Sequence, residues 1–274
     1  MELGFIGFGE ASQNFAEGFL QNDVESVYVY DVNHKKAVET AALFEKYDCI
    51  HVCPSINDVI DLVENIFIAV PGGADETVFG EITKSTFTGK LFIDICTAKP
   101  GIKYLNCQKI NGMGGGIENS YVDAAVMGSI PKLKHMVPII ASGDGAQRFY
   151  NTFSALGMNI QIHKGKAGEA STIKLCRSIY MKGIAALLIE TQEVSRLYGV
   201  EAEVFASIAE SMNADSFEVY SERLIKGTYK HCVRRMHELE DSMNLIEDGG
   251  LCGDMTKASI HVYENILDRQ KQCD

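Results

Sequence analysis

The stretch GKAGEASTIKLCRS, residues 165–178, holds three polar residues whose types and spacing suit chemistry. Lys174, Arg177 and Ser178 stand at i, i+3 and i+4, one face of a helix. A lysine near the start of a buried helix has its pKa drawn down by desolvation, which suits general acid/base work; the plainer alternative is a lysine that snorkels or pairs with a carboxylate. Arg177 offers a planar guanidinium that takes a carboxylate or phosphate bidentately. A second constellation lies in GFIGFGEAS, residues 4–12. Gly7 and Gly9 fill the first two slots of a G-x-G-x-x-G fingerprint, Ser12 fills the third, and Asp31 follows about twenty residues later. In that arrangement Gly7 makes the tight turn, Gly9 lets the backbone approach a pyrophosphate, and the helix-start amides hold the negative charge. Asp31 would accept hydrogen bonds from ribose hydroxyls and repel a 2′-phosphate, which favours NAD over NADP. His34, Lys35 and Lys36 just beyond it are the residues that could receive such a phosphate. Ser12 adds a small hydroxyl able to bond a backbone carbonyl of its own helix.

Positioning these groups requires a particular set of elements. Short β-rich runs alternate with helix-like stretches up to about residue 163: LGFIG (3–7), VYVYD (27–31), CIHVC (49–53), IFIAV (66–70), LFIDI (91–95), YVDAAV (121–126), VPIIA (137–141) and NIQIH (159–163). Several are apolar nearly throughout, as parallel strands covered on both faces are. This alternation predicts βαβ units in a Rossmann-type, doubly wound, mostly parallel sheet over 1–163. From 164 to 274 strand-like runs disappear and the chain reads as a smaller all-α domain. Its first helix, about Gly168 to Tyr198, is apolar on nearly all sides at IAALLI (184–189), which predicts burial at the centre of that domain and at a dimer interface.

The bulk properties narrow the function classes. A chain of 274 residues with 46% apolar and 23% charged residues is an ordinary globular protein long enough for two cores. A net charge of -12 argues against a nucleic-acid surface or an anionic membrane as partner. Eight cysteines are scattered without a C-x-x-C pair, and Glu2 stands where a signal peptide would be basic, so reduced thiols in a cytoplasm are expected. The seven histidines show no ligand spacing, so no metal is expected. Cys96 has no histidine tied to it by any pattern and reads as a small buried thiol rather than a nucleophile.

The order of motifs resembles the β-hydroxyacid dehydrogenases, the group that includes 6-phosphogluconate and 3-hydroxyisobutyrate dehydrogenases, and in particular a 6-phosphogluconate-dehydrogenase-like branch with its own C-terminal helical domain. The resemblance rests on the fingerprint at the chain start, DICTAKP (94–100), DAAVMGS (123–129) and the lysine of the first helix after the sheet. It implies a cofactor-binding set of Gly7, Phe8, Gly9, Glu10, Ala11, Asp31, Val70, Pro71 and Thr97, with Cys96 where the family usually has serine. It implies a substrate loop of Met127, Gly128 and Ser129, in which Met127 replaces a serine and Ser129 a glycine. Lys174 takes the place of the catalytic acid/base, and Arg177 and Ser178 replace two residues that hold the substrate. Further on, HCVRRMHELEDSM (231–243) puts His231, Arg234, Arg235 and Glu238 on one helical stripe opposite Val233, Met236, Leu239 and Met243. Arg234 or Arg235 would reach the acidic group of the substrate there, in a cleft between domains or across a dimer, unless this stripe is simply solvated.

These expectations converge on an NAD(P)-dependent oxidoreductase acting on a small, acidic hydroxy acid, phosphorylated or not, or on its carbonyl partner. The resemblance implies a homodimer. Two rivals stand beside this reading: an imine reductase on the same scaffold, which often lacks the lysine, and a non-catalytic dinucleotide-binding module, which the altered residues at Met127 and Ser129 favour.

Overall fold

The computed structural model describes residues 1–44, 49–113 and 118–272; Cys273 lies outside them. The described chain forms two compact units, Met1–Arg177 and Ser178–Asp274.

The first unit alternates strand and helix. It begins β1 (Glu2–Ile6), α1 (Glu10–Leu20), β2 (Ser26–Tyr30), α2 (His34–Ala42), β3 (Ile50–Val52), α3 (Ile56–Leu62), β4 (Asn65–Ile68) and α4 (Asp75–Ile82). It continues with β5 (Leu91–Asp94), α5 (Pro100–Asn111), β6 (Ser120–Val126), α6 (Ile130–Leu133), β7 (Ile139–Ser142), α7 (Ala146–Phe153), β8 (Ile160–Ile162) and the start of α8 (Glu169–Leu197). All eight expected strands are present in one sheet of order β3-β2-β1-β4-β5-β6-β7-β8, parallel except where β6 meets β7. This is the doubly wound Rossmann arrangement the sequence implied. Strand order reverses between β1 and β4, and such a switch point opens a crevice at the carboxyl ends of the strands.

The all-apolar strand runs have a direct cause: each face of the sheet has its own core. Phe5 and Phe67 stack at 5.1 Å on one side, with Phe19, Phe149 and Phe153 around them. Ile6, Ile66, Ile68, Phe92 and Tyr121 fill the other. On that second face, near the carboxyl ends, pairing register sets a polar row across three strands: Asp94 lies beside Asp123, and Asp123 beside Ser142.

The two units part inside α8. Its first turns are seated on the sheet, with Ala170 and Ser171 buried there, so the lysine-bearing segment belongs to the first unit.

The second unit comprises the rest of α8 with α9 (Glu201–Asn213), α10 (Phe217–Lys230), α11 (Cys232–Asp248) and α12 (Asp254–Lys271). Glu190 of α8 caps α12 by accepting from Met255 N at 2.7 Å and Thr256 N at 2.9 Å. Two expectations are corrected here. The middle of α8 was expected at the centre of the unit, yet Ile179 and Ile189 are 77% and 58% exposed, because the packed positions run along one side through Val194 and Ser195. The 231–243 stripe is also interrupted. His231 is the cap between α10 and α11, Val233 is exposed, and Arg235 turns back to donate to Thr228 Oγ1 at 2.7 Å. Among the described residues no helix is long and apolar enough to cross a membrane.

Candidate active site

The fingerprint folds as a strand-to-helix turn. Gly7 sits at φ +90, and a Cβ there would collide with the Ala69 carbonyl, so β1 and β4 close up only around glycine. Gly9 is the N-cap residue of α1 and has open space where a Cβ would be, leaving the helix-start amides approachable. Ser12 is fully buried, and its hydroxyl donates to Gly7 O at 2.6 Å. That bond reaches the turn rather than the helix, so the residue in the third glycine slot ties α1 to the fingerprint. Ser12→Ala is expected to lower stability by about 1 kcal/mol, read by urea unfolding, because it strands a buried carbonyl.

Asp31 follows β2, where its Oδ2 accepts from Phe8 N at 2.8 Å and its Oδ1 from Asn33 N at 2.8 Å. Both bonds fix the carboxylate at the rim of the turn and leave it lone pairs for further donors. The Phe8 ring points into the core near Phe44, so Phe8 offers a ligand only backbone. His34, Lys35 and Lys36 open α2 and are exposed.

A cleft of about 530 Å³ runs from this turn across the strand ends. It gathers Gly9, Glu10 and Ala11 from α1, Val70 and Pro71 after β4, Cys96 and Thr97 after β5, Gly128 after β6, and Lys174 from α8. Of the residues expected at the site, these converge directly. Met127 and Ser129 flank Gly128; Met127 N donates to Pro138 O at 2.8 Å and Ser129 caps α6. Arg177 lies one turn beyond Lys174, exposed and, among the described residues, without an ion pair; Ser178 is half-buried. Arg234 is in the second unit, exposed and paired with Glu238 at 3.2 Å.

Lys174 Nζ donates to Thr97 Oγ1 at 3.2 Å. Burial pulls its pKa below the ordinary lysine value; the nearby Lys103 ammonium adds to this, and Asp123 and Cys96 oppose it. Cys96 does not face a ligand as a polar group. Its sulfur accepts from Val70 N at 3.3 Å and donates to Ile68 O at 3.4 Å, and burial pushes its pKa far up, so it is an inert thiol of the strand ends.

Sequence reasoning missed the layer beneath the cleft. Asp123 anchors the lysine helix: Oδ2 accepts from Gly168 N and Ser171 N, both at 2.9 Å, and Oδ1 from Ser171 Oγ at 2.6 Å. Ser142 Oγ accepts from Ala170 N at 3.0 Å. Next to this, Asp94 accepts from Tyr121 OH at 2.5 Å and from Cys96 N at 3.0 Å, and pairs with Lys103 Nζ at 2.5 Å. Asp75 joins through Asn106 Nδ2 at 3.1 Å. The ligand atoms of Asp75, Asp94 and Cys96 come within 4.8 Å of one another, and the cation among them is the chain's own Lys103. The only trace of this in the sequence is the inward stripe of α5, where Lys103 and Asn106 precede Cys107 and Ile110 at helical spacing.

Comparison with known proteins bears on the fold and on the family resemblance. Residues 2–98 match the family described as NADP oxidoreductase coenzyme F420-dependent, and residues 196–266 match a domain of unknown function, DUF1932. The mitochondrial 3-hydroxyisobutyrate dehydrogenase of Drosophila melanogaster is 25% identical over 217 residues, 76% of this chain and 63% of that one. A solved conserved protein, described as structurally similar to 3-hydroxyacid dehydrogenases, is 25% identical and covers 99% of both chains with a TM-score of 0.65. The resemblance to the hydroxyacid dehydrogenases holds. The fold is more widely shared: an imine reductase from Aspergillus terreus, solved with NADPH4 and dibenz[c,e]azepine, superposes with a TM-score of 0.81 at 16% identity over 98% of this chain and 94% of that one. The first unit is therefore a Rossmann domain of the NAD(P)-binding type, on a scaffold that NAD(P)-dependent oxidoreductases use.

Proposed function

We propose that the protein is an NAD(P)-dependent dehydrogenase or reductase acting on a small hydroxy acid, phosphorylated or not, or its carbonyl partner, with Lys174 as general acid/base. The observation that supports this most is the meeting of Lys174 and Thr97 in the cleft that opens from the fingerprint turn. The residues fit a dinucleotide. Gly9 leaves open space over the helix start, the first turn of α1 offers its amides, and Asp31 stands ready for ribose hydroxyls. When bound, the nicotinamide supplies or accepts the hydride.

Lys174 takes the hydroxyl proton in oxidation and returns it in reduction, held in place by the Thr97 hydroxyl. Val70, Pro71 and Cys96 line the wall of the cleft. Met127, Gly128 and Ser129 form the loop beside the substrate, and Arg177 and Ser178 extend the lysine's helical face, with Arg177 suited to an acidic group. The lysine favours this reading over imine reduction on the same scaffold. The exposed apolar residues of α8 support a homodimer in which a second copy covers them. Cys53, Cys96, Cys107, Cys176, Cys232 and Cys252 form no disulfide, in keeping with a reducing cytoplasm.

The Asp31 carboxylate favours NAD, since a 2′-phosphate placed near it would meet a like charge. Calorimetry is expected to show tighter binding of NADH than NADPH, and Asp31→Ser is expected to narrow or reverse that order. Binding of neither dinucleotide would sink the proposal.

A further inference from the structure

The buried layer under the cleft contains a group that the reaction above does not use. Lys103 is fully buried on α5, and its Nζ lies 2.5 Å from Asp94 Oδ1. A lone buried ammonium is strongly unfavourable, and the Asp94 carboxylate is what keeps this one charged. Burial acts to lower its pKa, but Asp94, Cys96 and Asp75 outweigh that and raise it. The same Asp94 carboxylate receives Cys96 N, and the next residue, Thr97, receives Lys174 Nζ. One short chain of contacts therefore runs from the buried ammonium to the cleft ammonium.

We propose that Lys103 is a positioning residue for Lys174: its charge, held against Asp94 beneath the Thr97 loop, disfavours a proton on the Lys174 amine and so adds to burial in shifting the pH range in which the site works. This rests on the acid/base reading of Lys174. The charged and titratable groups facing Lys174 are Lys103 from α5, Asp123 from β6 and Cys96 after β5. Lys103 favours the neutral amine and Asp123 the protonated one, while Cys96 stays an uncharged thiol across this range. Asp75 enters through Lys103. Burial and the Asp94 charge raise its pKa to about 6 despite Lys103, Cys96 and Asn106, so above that pH it is a carboxylate that partly offsets the Lys103 charge. Asp75 Oδ1, Asn106 Oδ1 and Lys103 Nζ are buried without a well-aligned hydrogen bond, so this corner is held by the Lys103–Asp94 ion pair together with the Asn106 Nδ2 bond to Asp75 Oδ2.

Labelling with a small amine-reactive anhydride across a pH series, quantified on the Lys174 peptide by mass spectrometry, reads its protonation without any substrate. Lys35, 88% exposed, is the reference in the same samples. Lys103→Met is expected to raise the Lys174 midpoint by about one pH unit, and Lys103→Arg to restore it. Should Lys103→Met fail to fold, Asp75→Asn carries the test. It removes the carboxylate that offsets Lys103, so the midpoint is expected to fall. A Lys174 midpoint that stays in place in folded Lys103→Met, or that stays or rises in Asp75→Asn, overturns the proposal. The acid/base reading fails on different evidence, turnover that survives loss of Lys174, so the two outcomes are separable.

Discussion

Lys174→Met is expected to reduce turnover by about 10²–10⁴-fold while leaving dinucleotide affinity within about twofold of the original. Methionine keeps much of the lysine's length and apolar stem, so the substitution removes the proton-transferring group and little else. The amine reaches Thr97 Oγ1 rather than a residue of the fingerprint turn, so binding at Gly7, Gly9 and Asp31 should be unaffected. The pH dependence carries a sign. Burial, helped by Lys103, depresses the Lys174 pKa, so the neutral amine persists to lower pH than in an ordinary lysine. Oxidation needs that neutral form, and kcat/KM for a hydroxy acid is expected to rise as pH climbs through the depressed pKa. Reduction needs the protonated form and is expected to fall over the same interval. Both limbs should vanish in Lys174→Met, whose residual rate should be flat there. Steady-state rates of NAD(P)H formation and consumption across pH, with calorimetry on the same variant, check this. Turnover that survives with its pH profile intact would overturn the role given to Lys174.

The helix that presents Lys174 was easy to read in the sequence, and the reason is local. Strand runs such as IFIAV and LFIDI are apolar because both faces of the sheet are covered, and Gly7 marks a turn whose positive φ and close approach to Ala69 suit only glycine. These signals lie within a few neighbouring residues. The layer that holds the helix down was invisible for the opposite reason. Asp94, Asp123 and Ser142 come into line through the register of β5, β6 and β7, and the antiparallel entry of β7 is a long-range choice. DAAVMGS read as a substrate loop, yet its first residue reaches back to the start of α8, while Val126 and Gly128 of the same stretch line the cleft. Lys103 gave a polar position on what reads as a helix flank, and nothing local says that Asp94 waits beneath it. The middle of α8 failed for a related reason. A run apolar on all sides asks for cover, and the sequence does not say whether its own chain supplies it.

Asp123→Ala is expected to be the most destabilising single change at the site, by about 3 kcal/mol in urea or thermal unfolding. The carboxylate is buried and accepts four bonds: two from backbone amides at the start of α8, where the helix dipole also favours negative charge, one from Ser171 Oγ, and a longer one of 3.5 Å from Ser142 Oγ. Alanine leaves Gly168 N, Ser171 N and Ser171 Oγ without that acceptor. Gly168 holds φ +98 at a spot where a Cβ would collide with the Pro100 carbonyl, so the backbone passes close to Pro100 and has little room to find another acceptor. Ser171→Ala removes one donor and leaves the backbone bonds intact, so it should cost only about 1 kcal/mol. The gap between the two variants separates anchoring of the helix from simple loss of a buried hydroxyl. Asp123→Ala should also slow turnover through displacement of Lys174, and Ser171→Ala should leave it nearly unchanged. An Asp123→Ala protein within about 0.5 kcal/mol of the original would mean that α8 is held by its apolar contacts and the Ser142 bond, and that the aspartate of DAAVMGS serves the cleft instead.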